Sequence, residues 1–243
     1  MTRLDKQVFS DIFEDARGNG WIYNEPINFL FVSNLEQITH LARNHFTNAK
    51  GSHRWDHTLR VYRLAMKIAR QEKADEEIVA YAALLHDIGR SREDESRGKI
   101  DHAREGAGMA ETLLEVQGME PAKIQKIVHC IASHRFRDEN VPESLEAKVV
   151  FDADKLDSIG AVGIGRAFLF AGENGSRLHV EDQKAHDAES YGPEDTAYHE
   201  YLVKLSKIKD RLLTKTGKKL ALERHQFMVE FFERLNKEAK GLI

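Results

Sequence analysis

The fold is decided by the stretch Glu76-Glu77-Ile78-Val79-Ala80-Tyr81-Ala82-Ala83-Leu84-Leu85-His86-Asp87-Ile88-Gly89. Asp75 precedes it at a helix N-cap position, and the residues that follow predict a strongly apolar helix. We expect Gly89 to end this helix in the left-handed conformation. A histidine and an aspartate therefore stand side by side where an apolar helix stops, which is a reason to look for further metal ligands in the chain.

Helical periodicity continues on both sides of this stretch. His57 lies four residues before Val61 and seven before Leu64, which puts it on the inward face of the preceding helix. Other helices are predicted at 35–46 with Asn34 as cap, 101–118, 121–134, 142–159, 198–213 and 218–239. We interpret 90–99 as a charged loop and 172–195 as an exposed excursion that could form a lid.

The whole sequence favours an all-α fold. It contains only 4 prolines, and alternation typical of strands never persists. We predict one helical domain over residues 1–243, with a core at about 53–160 and C-terminal helices at about 198–239 that pack on it.

The composition excludes several classes of protein. A composition of 41% hydrophobic and 31% charged residues is typical of a globular chain. A net charge of -4 indicates no general attraction to nucleic acid or membranes. No apolar run would span a bilayer, the N-terminus lacks the apolar core of a signal peptide, and Cys130 has no second cysteine to pair with. We expect a cytoplasmic protein without nucleic-acid or membrane partners. A homodimer is left open.

Histidines and carboxylates suggest a metal site. His57, His86, Asp87 and the pair Asp152/Asp154 offer enough donors for a divalent cation such as Mn²⁺, Mg²⁺, Co²⁺, Ni²⁺ or Fe²⁺. Residues two apart on a helix differ by about 200°, so both aspartates cannot face one ion. Asp154 follows the apolar stripe and is placed inward. Asp152 and Asp157 then become candidates for supporting hydrogen bonds or for surface charges.

These residues resemble a known signature. The series His57 … His86-Asp87 … Asp154 is similar to the H…HD…D pattern of the HD superfamily of metal-dependent phosphohydrolases. The local contexts are similar too, at 84–89 and 153–157. The run 152–161 resembles the subgroup of small stand-alone HD hydrolases, which extends the resemblance from about 53–160 to most of the chain.

The resemblance implies an HD-like helical bundle and a reaction. His57, His86, Asp87 and Asp154 would hold one divalent metal, and a metal-activated water would hydrolyse a nucleotide or a related phosphate ester or anhydride. Asp87, His102 and His134 are the expected catalytic residues, and Arg60 and Lys155 are expected to bind the phosphate. Some relatives use additional histidines for a second metal, and His102 and His134 stand at helix ends that would allow one.

Alternatives remain at this point. A two-metal phosphodiesterase of cyclic or signalling nucleotides fits the same scaffold, and so does a non-catalytic nucleotide-binding module. The run 148–154 resembles the Asp-x-Asp strand of haloacid-dehalogenase-like phosphatases, but the chain offers no alternating strands and helices to build their sheet. Gly160, Gly163 and Gly165 are a weak match to a dinucleotide loop, since no strand precedes them.

Overall fold

The computed structural model describes residues 26–46, 55–96, 98–135, 140–180 and 192–243, and within these ranges it contains helices and no β-strand. The all-α prediction is confirmed. In chain order the helices are α1 (Pro26–Asn44), α2 (Trp55–Glu72), α3 (Glu76–Leu85), α4 (Arg90–Glu95), α5 (His102–Val116), α6 (Pro121–Ser133), α7 (Leu145–Asp157), α8 (Gly160–Glu173), α9 (Ala197–Val203), a 3-10 helix (Leu205–Asp210) and α10 (Lys215–Ala239). Over this part of the chain, no helix is both long and apolar enough to cross a membrane.

The chain divides into two compact units, Met1–Asn44 and His45–Ile243. In the first unit the structure describes α1, in which Asn34 lies in the interior and does not cap the helix as predicted. The helix starts earlier because Pro26 suits a first helical position, where its missing N–H costs no hydrogen bond. That one domain spans the whole chain stays a prediction.

Helix α3 lies at the centre of the second unit. All of its residues from 78 to 85 are buried, and α2, α6 and α7 pack against it. Asp75 caps it as predicted, by accepting hydrogen bonds from the backbone N–H groups of Glu77 and Ile78. Burial of each large apolar side chain stabilises the folded protein by about 1.5–3 kcal/mol, so the position of α3 is strongly fixed. The His86-Asp87 pair at its end is fixed with it.

Two predicted boundaries differ from the structure near this centre. The interval 90–99 contains α4, which the ion pair of Arg90 with Glu93 stabilises across one turn at 2.6 Å. Helix α7 begins at Leu145 because the Ser144 side chain accepts the backbone N–H of Ala147, and it ends at Asp157.

The C-terminal segment also departs from the predicted boundaries. Helix α9 ends at Val203 and is followed by the 3-10 helix, so 198–213 is not one helix. Helix α10 starts at Lys215 because the Thr214 hydroxyl caps it, and it packs against α8, α7 and α2. Part of the proposed lid at 172–195, residues 181–191, lies outside the described residues.

The conformation predicted for Gly89 was wrong. Its φ of -84° and ψ of -4° are right-handed, so the helix does not need glycine here for a left-handed turn. A Cβ at Gly89 would instead stand 2.5 Å from the carbonyl oxygen of His102 and 2.7 Å from the backbone N of Gly106. Glycine is required because the turn after α3 touches the backbone of α5. This contact brings Asp87 and His102 to the same point.

Gly89→Ala should therefore destabilise the protein by about 1–3 kcal/mol, the usual cost of forcing extra atoms into a packed interior. Gly108→Ala is the matched control on α5, where a Cβ meets nothing within 4 Å. An exposed helical glycine replaced by alanine should stabilise by about 0.5–1 kcal/mol. Denaturant unfolding of both variants measures the difference, and equal effects would contradict the close-contact explanation.

Candidate metal centre

Five helices deliver polar side chains to one buried region. His57 lies in the first turn of α2, and His86 and Asp87 follow the end of α3. His102 begins α5, His134 follows the last residue of α6, and Asp154 is in α7. The four histidines and Asp87 are each no more than 2% exposed. Helix ends and starts from distant parts of the sequence thus meet at one level of the bundle.

The first cluster consists of His57, His86 and Asp154 together with the Oδ2 atom of Asp87. The Nε2 atoms of His57 and His86 are 3.4 Å apart, and Asp154 Oδ1 lies 3.5 Å from His57 Nε2. Asp87 Oδ2 is 3.7 Å from both of these Nε2 atoms. The structure therefore brings together the four residues that the sequence suggested as ligands.

The second cluster consists of His102, His134 and the Oδ1 atom of Asp87. The two Nε2 atoms are 3.2 Å apart, and Asp87 Oδ1 lies 3.1 Å from His102 and 3.7 Å from His134. Asp87 thus faces a pair of histidines with each of its two oxygens. The two histidines expected to be catalytic are placed here, beside the first cluster.

Electrostatics keep the carboxylates ionised. Burial would raise the pKa of Asp87, but Arg90 and the surrounding histidines outweigh it and hold this pKa well below its ordinary value. For Asp154, burial is likewise outweighed, here by Lys155 and His57, and the pKa is again far below its ordinary value. Both side chains are therefore anionic at neutral pH.

The histidines differ in their proton affinity. Burial, together with His134 and His57, lowers the pKa of His86 to about 4, and burial also lowers the pKa of His134. These two rings are neutral at neutral pH, the form that binds metals. Burial also acts to lower the pKa of His57, but the carboxylates of Asp154 and Asp157 beside the ring raise it overall.

The two aspartates of the 152–154 run point to different neighbours. Asp152 accepts hydrogen bonds from the backbone N–H groups of Leu213 and Thr214, both at 2.8 Å, and from the Thr214 hydroxyl at 2.6 Å. It therefore ties α7 to the start of α10. Asp154 faces the first cluster, as its place on the apolar stripe suggests.

The expected phosphate-binding residues lie at the edge of the first cluster. Lys155 Nζ is 2.7 Å from Asp154 Oδ2 and stands over the Phe151 ring. Arg60 donates from Nε to Asp157 at 2.8 Å and from NH1 to Asp56 at 2.6 Å. Both cations are thus close to the site, and both are bound to carboxylates.

Two residues of the site were missed. Arg166 donates from NH1 to Asp157 Oδ2 at 2.8 Å, and no spacing in the sequence connects it to the cluster. Glu93 lies 2.5 Å from His102 Nδ1, in the interval interpreted as a loop. Its i, i+3 spacing from Arg90 is a signal that could have indicated α4.

The chemistry of the donors fits a divalent cation. Imidazole and carboxylate ligands bind such ions at about 2.0–2.2 Å, so adjacent donors in one coordination shell stand roughly 3–4 Å apart. Both clusters meet this condition, since the donor atoms of His57, His86 and Asp154, and likewise those of Asp87, His102 and His134, lie within 4.8 Å of one another. Mixed nitrogen and oxygen donors suit borderline and hard divalent ions.

The chain belongs to the HD superfamily: the HD domain family matches residues 54–159. The chain is similar to YpgQ of Bacillus subtilis, a small protein of which it covers 96%, with 37% identity over 215 residues, or 87% of this chain. The resemblance found in the sequence is confirmed.

Solved structures agree with this assignment. Bacillus subtilis YpgQ, crystallised in complex with ADP, superimposes with a TM-score of 0.68 at 33% identity, over 86% of this chain and 96% of that one. An HD-superfamily hydrolase from Bacillus thuringiensis gives a TM-score of 0.67 at 28% identity, over 86% and 98%. The likeness therefore extends well beyond the 54–159 core.

A metal that binds these clusters should stabilise the folded protein. At an ion concentration 100 times the dissociation constant the gain is about 2.7 kcal/mol, which for a chain of this size raises Tm by roughly 5–11 °C. Thermal melts with EDTA and with Mn²⁺ measure this shift. It should disappear in His86→Ala.

The control for this melt is His129→Ala. His129 lies on α6 before His134, but its Nε2 accepts the backbone N–H of Glu143 and it belongs to neither cluster. The His129→Ala variant should show the full metal-induced increase in Tm, whatever its Tm without metal. An equal shift in both variants would show that the ion binds elsewhere.

Proposed function

We propose that the protein is a metal-dependent phosphohydrolase that acts on a nucleotide or a related phosphate ester or anhydride. The observation that carries the proposal is the convergence of His57, His86, Asp87 and Asp154, in which His57 Nε2 lies 3.4–3.7 Å from a donor atom of each of the other three. A divalent cation held there supplies Lewis acidity to a phosphoryl group and acidifies water.

The remaining residues have roles that follow from their chemistry. Lys155 and Arg60 offer positive charge at the edge of the first cluster, where a phosphate would need it. Asp87 is an ionised, buried acceptor suited to orienting a water molecule. His102 and His134 could exchange a proton with a leaving oxygen, since their Nε2 atoms lie on the other side of Asp87.

A nucleotide is the preferred substrate class for one reason outside the chain's own residues. The similar protein YpgQ was crystallised with ADP. That protein shares the fold over 86% of this chain, so a nucleotide is the first class of phosphate compound to test.

The decisive experiment compares the parent with Asp87→Ala on a panel of nucleotides, with Mn²⁺, Mg²⁺, Co²⁺ and Ni²⁺ tested separately. Loss of a residue that only supports a ligand typically costs about 10–100-fold, so loss of Asp87 itself should cost at least as much in kcat/KM. Release of phosphate or pyrophosphate is measured for each combination of nucleotide and metal ion.

The control is Asp94→Ala. Asp94 is an exposed aspartate of α4, seven positions after Asp87, and should leave activity unchanged. Undiminished activity in Asp87→Ala would refute catalysis at this centre. Binding of nucleotides without turnover under every metal would favour a non-catalytic module instead.

The second cluster supports a second candidate, a phosphodiesterase of cyclic or signalling nucleotides that uses two metals. Asp87 would help to hold both ions, since its oxygens face different histidine pairs, and two metals there would supply Lewis acidity for cleavage of a phosphodiester. Under this candidate the second cluster binds metal and does not act as an acid or base.

Metal content distinguishes the two candidates. Under the phosphodiesterase candidate, saturated parent protein should hold two ions per chain, and His134→Ala should hold one. Mass spectrometry of metal-loaded, desalted samples gives the count, and the His129→Ala variant should match the parent. One ion per chain in the parent would exclude the two-metal site.

A further inference from the structure

The four histidines of the two clusters share a pattern at their other ring nitrogen. Each Nδ1 lies at hydrogen-bond distance from an oxygen that is not part of either cluster. For His86 and His134 this oxygen is a backbone carbonyl, of Ala83 at 2.8 Å and of Ile131 at 2.7 Å. A carbonyl only accepts, so the proton of each of these rings is on Nδ1.

The other two histidines have a carboxylate in the same place. His57 Nδ1 lies 2.7 Å from Asp157 Oδ2, and His102 Nδ1 lies 2.5 Å from Glu93 Oε2. Each cluster thus contains one histidine held by a carbonyl and one held by a carboxylate. No side-chain substitution can remove a carbonyl, but the two carboxylates can be changed separately.

Both carboxylates are themselves held in place by cations. Asp157 is 1% exposed and receives Arg60 and Arg166, while Glu93 receives Arg90 at 2.6 Å and Arg135 at 2.7 Å. Arg166 NH1 also lies 3.5 Å from His57 Nδ1, but the carboxylate at 2.8 Å is the nearer acceptor. These ion pairs keep the carboxylates anionic and correctly turned.

We propose that Asp157 and Glu93 are positioning residues, one for each cluster: they fix the proton of His57 and of His102 on Nδ1 and so leave Nε2 bare for a metal ion. A carboxylate behind a ligand histidine also makes the ring a stronger donor. The inference rests on the proposed metal-dependent function in its two-metal form, in which His102 and His134 hold an ion and do not act as an acid or base. It assigns the control of metal affinity in each cluster to a separate side chain.

Bare Nε2 atoms give the close approach within each histidine pair a consequence for metal binding. Two unprotonated nitrogens 3.4 Å or 3.2 Å apart repel each other through their lone pairs, and a cation between them turns this repulsion into coordination. Without the two carboxylates, His57 and His102 could take the other tautomer, donate from Nε2 to the facing ring and block the site.

The first test needs no metal and no substitution. Proton–nitrogen NMR of the histidine side chains in metal-free parent protein at pH 9 reports which nitrogen of each ring carries the proton. His57, His86, His102 and His134 should all be protonated on Nδ1. A proton on Nε2 of His57 or His102 would overturn the proposal, whatever the protein's activity.

The second test uses Asp157→Asn and Glu93→Gln, which keep the shape of each side chain and remove its charge. In calorimetric titrations with Mn²⁺, Asp157→Asn should weaken one binding event by about 10–100-fold and Glu93→Gln should weaken the other. The matched controls are Asp56→Asn, which removes only the second carboxylate of Arg60, and Glu105→Gln, which removes the partner of Arg92.

The outcomes separate this inference from the proposed function. If both variants weakened the same binding event, or if neither variant weakened any, the assignment of one carboxylate to each cluster would be overturned. Binding of only one ion by the parent would overturn the role of Glu93 in metal affinity, and that of Asp157 as well if Asp157→Asn left this single binding event unchanged. No metal binding by the parent would refute the proposed function and the effect on affinity, while the NMR result would still decide the tautomers.

Discussion

The site depends on one buried carboxylate, that of Asp87. Its two oxygens face two histidine pairs, and the side chain is 2% exposed yet ionised. Burying a charge costs several kcal/mol unless partners compensate it, so the fold has to supply positive charge and donors around this point. Arg90 supplies part of it, at 3.6 Å from Asp87 Oδ1. A cation in either cluster would supply the rest, which makes the metal a part of the charge balance of the core.

The position of this carboxylate follows from packing and needs no contribution from the metal. Helix α3 is buried from residue 78 to 85, and the turn after it touches the backbone of α5 through Gly89. A rigid apolar helix and a close backbone contact thus hold Asp87 between donors from α2, α5 and α6. Preorganisation of this kind lowers the cost of assembling a coordination shell, because the ligands are ordered when the protein folds.

Much of this arrangement could be predicted from the sequence. Helical periodicity identified α2, α3, α5 and α6, and the inward face of α7 selected Asp154 over Asp152. Asp157 was among the candidates for supporting hydrogen bonds, but Arg166 and Glu93 could not be found in this way. Arg166 lies on a different helix from Asp157, after a turn whose geometry no pattern encodes, and Glu93 was assigned to a loop because a charged hexapeptide has no apolar stripe. The conformation of Gly89 was misjudged for a related reason, since a contact with α5 is invisible in local sequence.

The pairing of the cationic side chains around the metal centre decides which of them is available to bind a phosphate. Arg60 is shared by two carboxylates, Asp56 and Asp157, whereas among the described residues Lys155 forms an ion pair only with Asp154. Asp154 is also the carboxylate that faces His57 in the first cluster, so its charge is divided between the lysine and the donors of the site. A phosphate therefore competes more easily for Lys155 than for Arg60, whose charge already balances Asp157. On this argument we propose that Lys155 is the residue that contacts a phosphate, and that Arg60 acts mainly by holding the carboxylate behind His57.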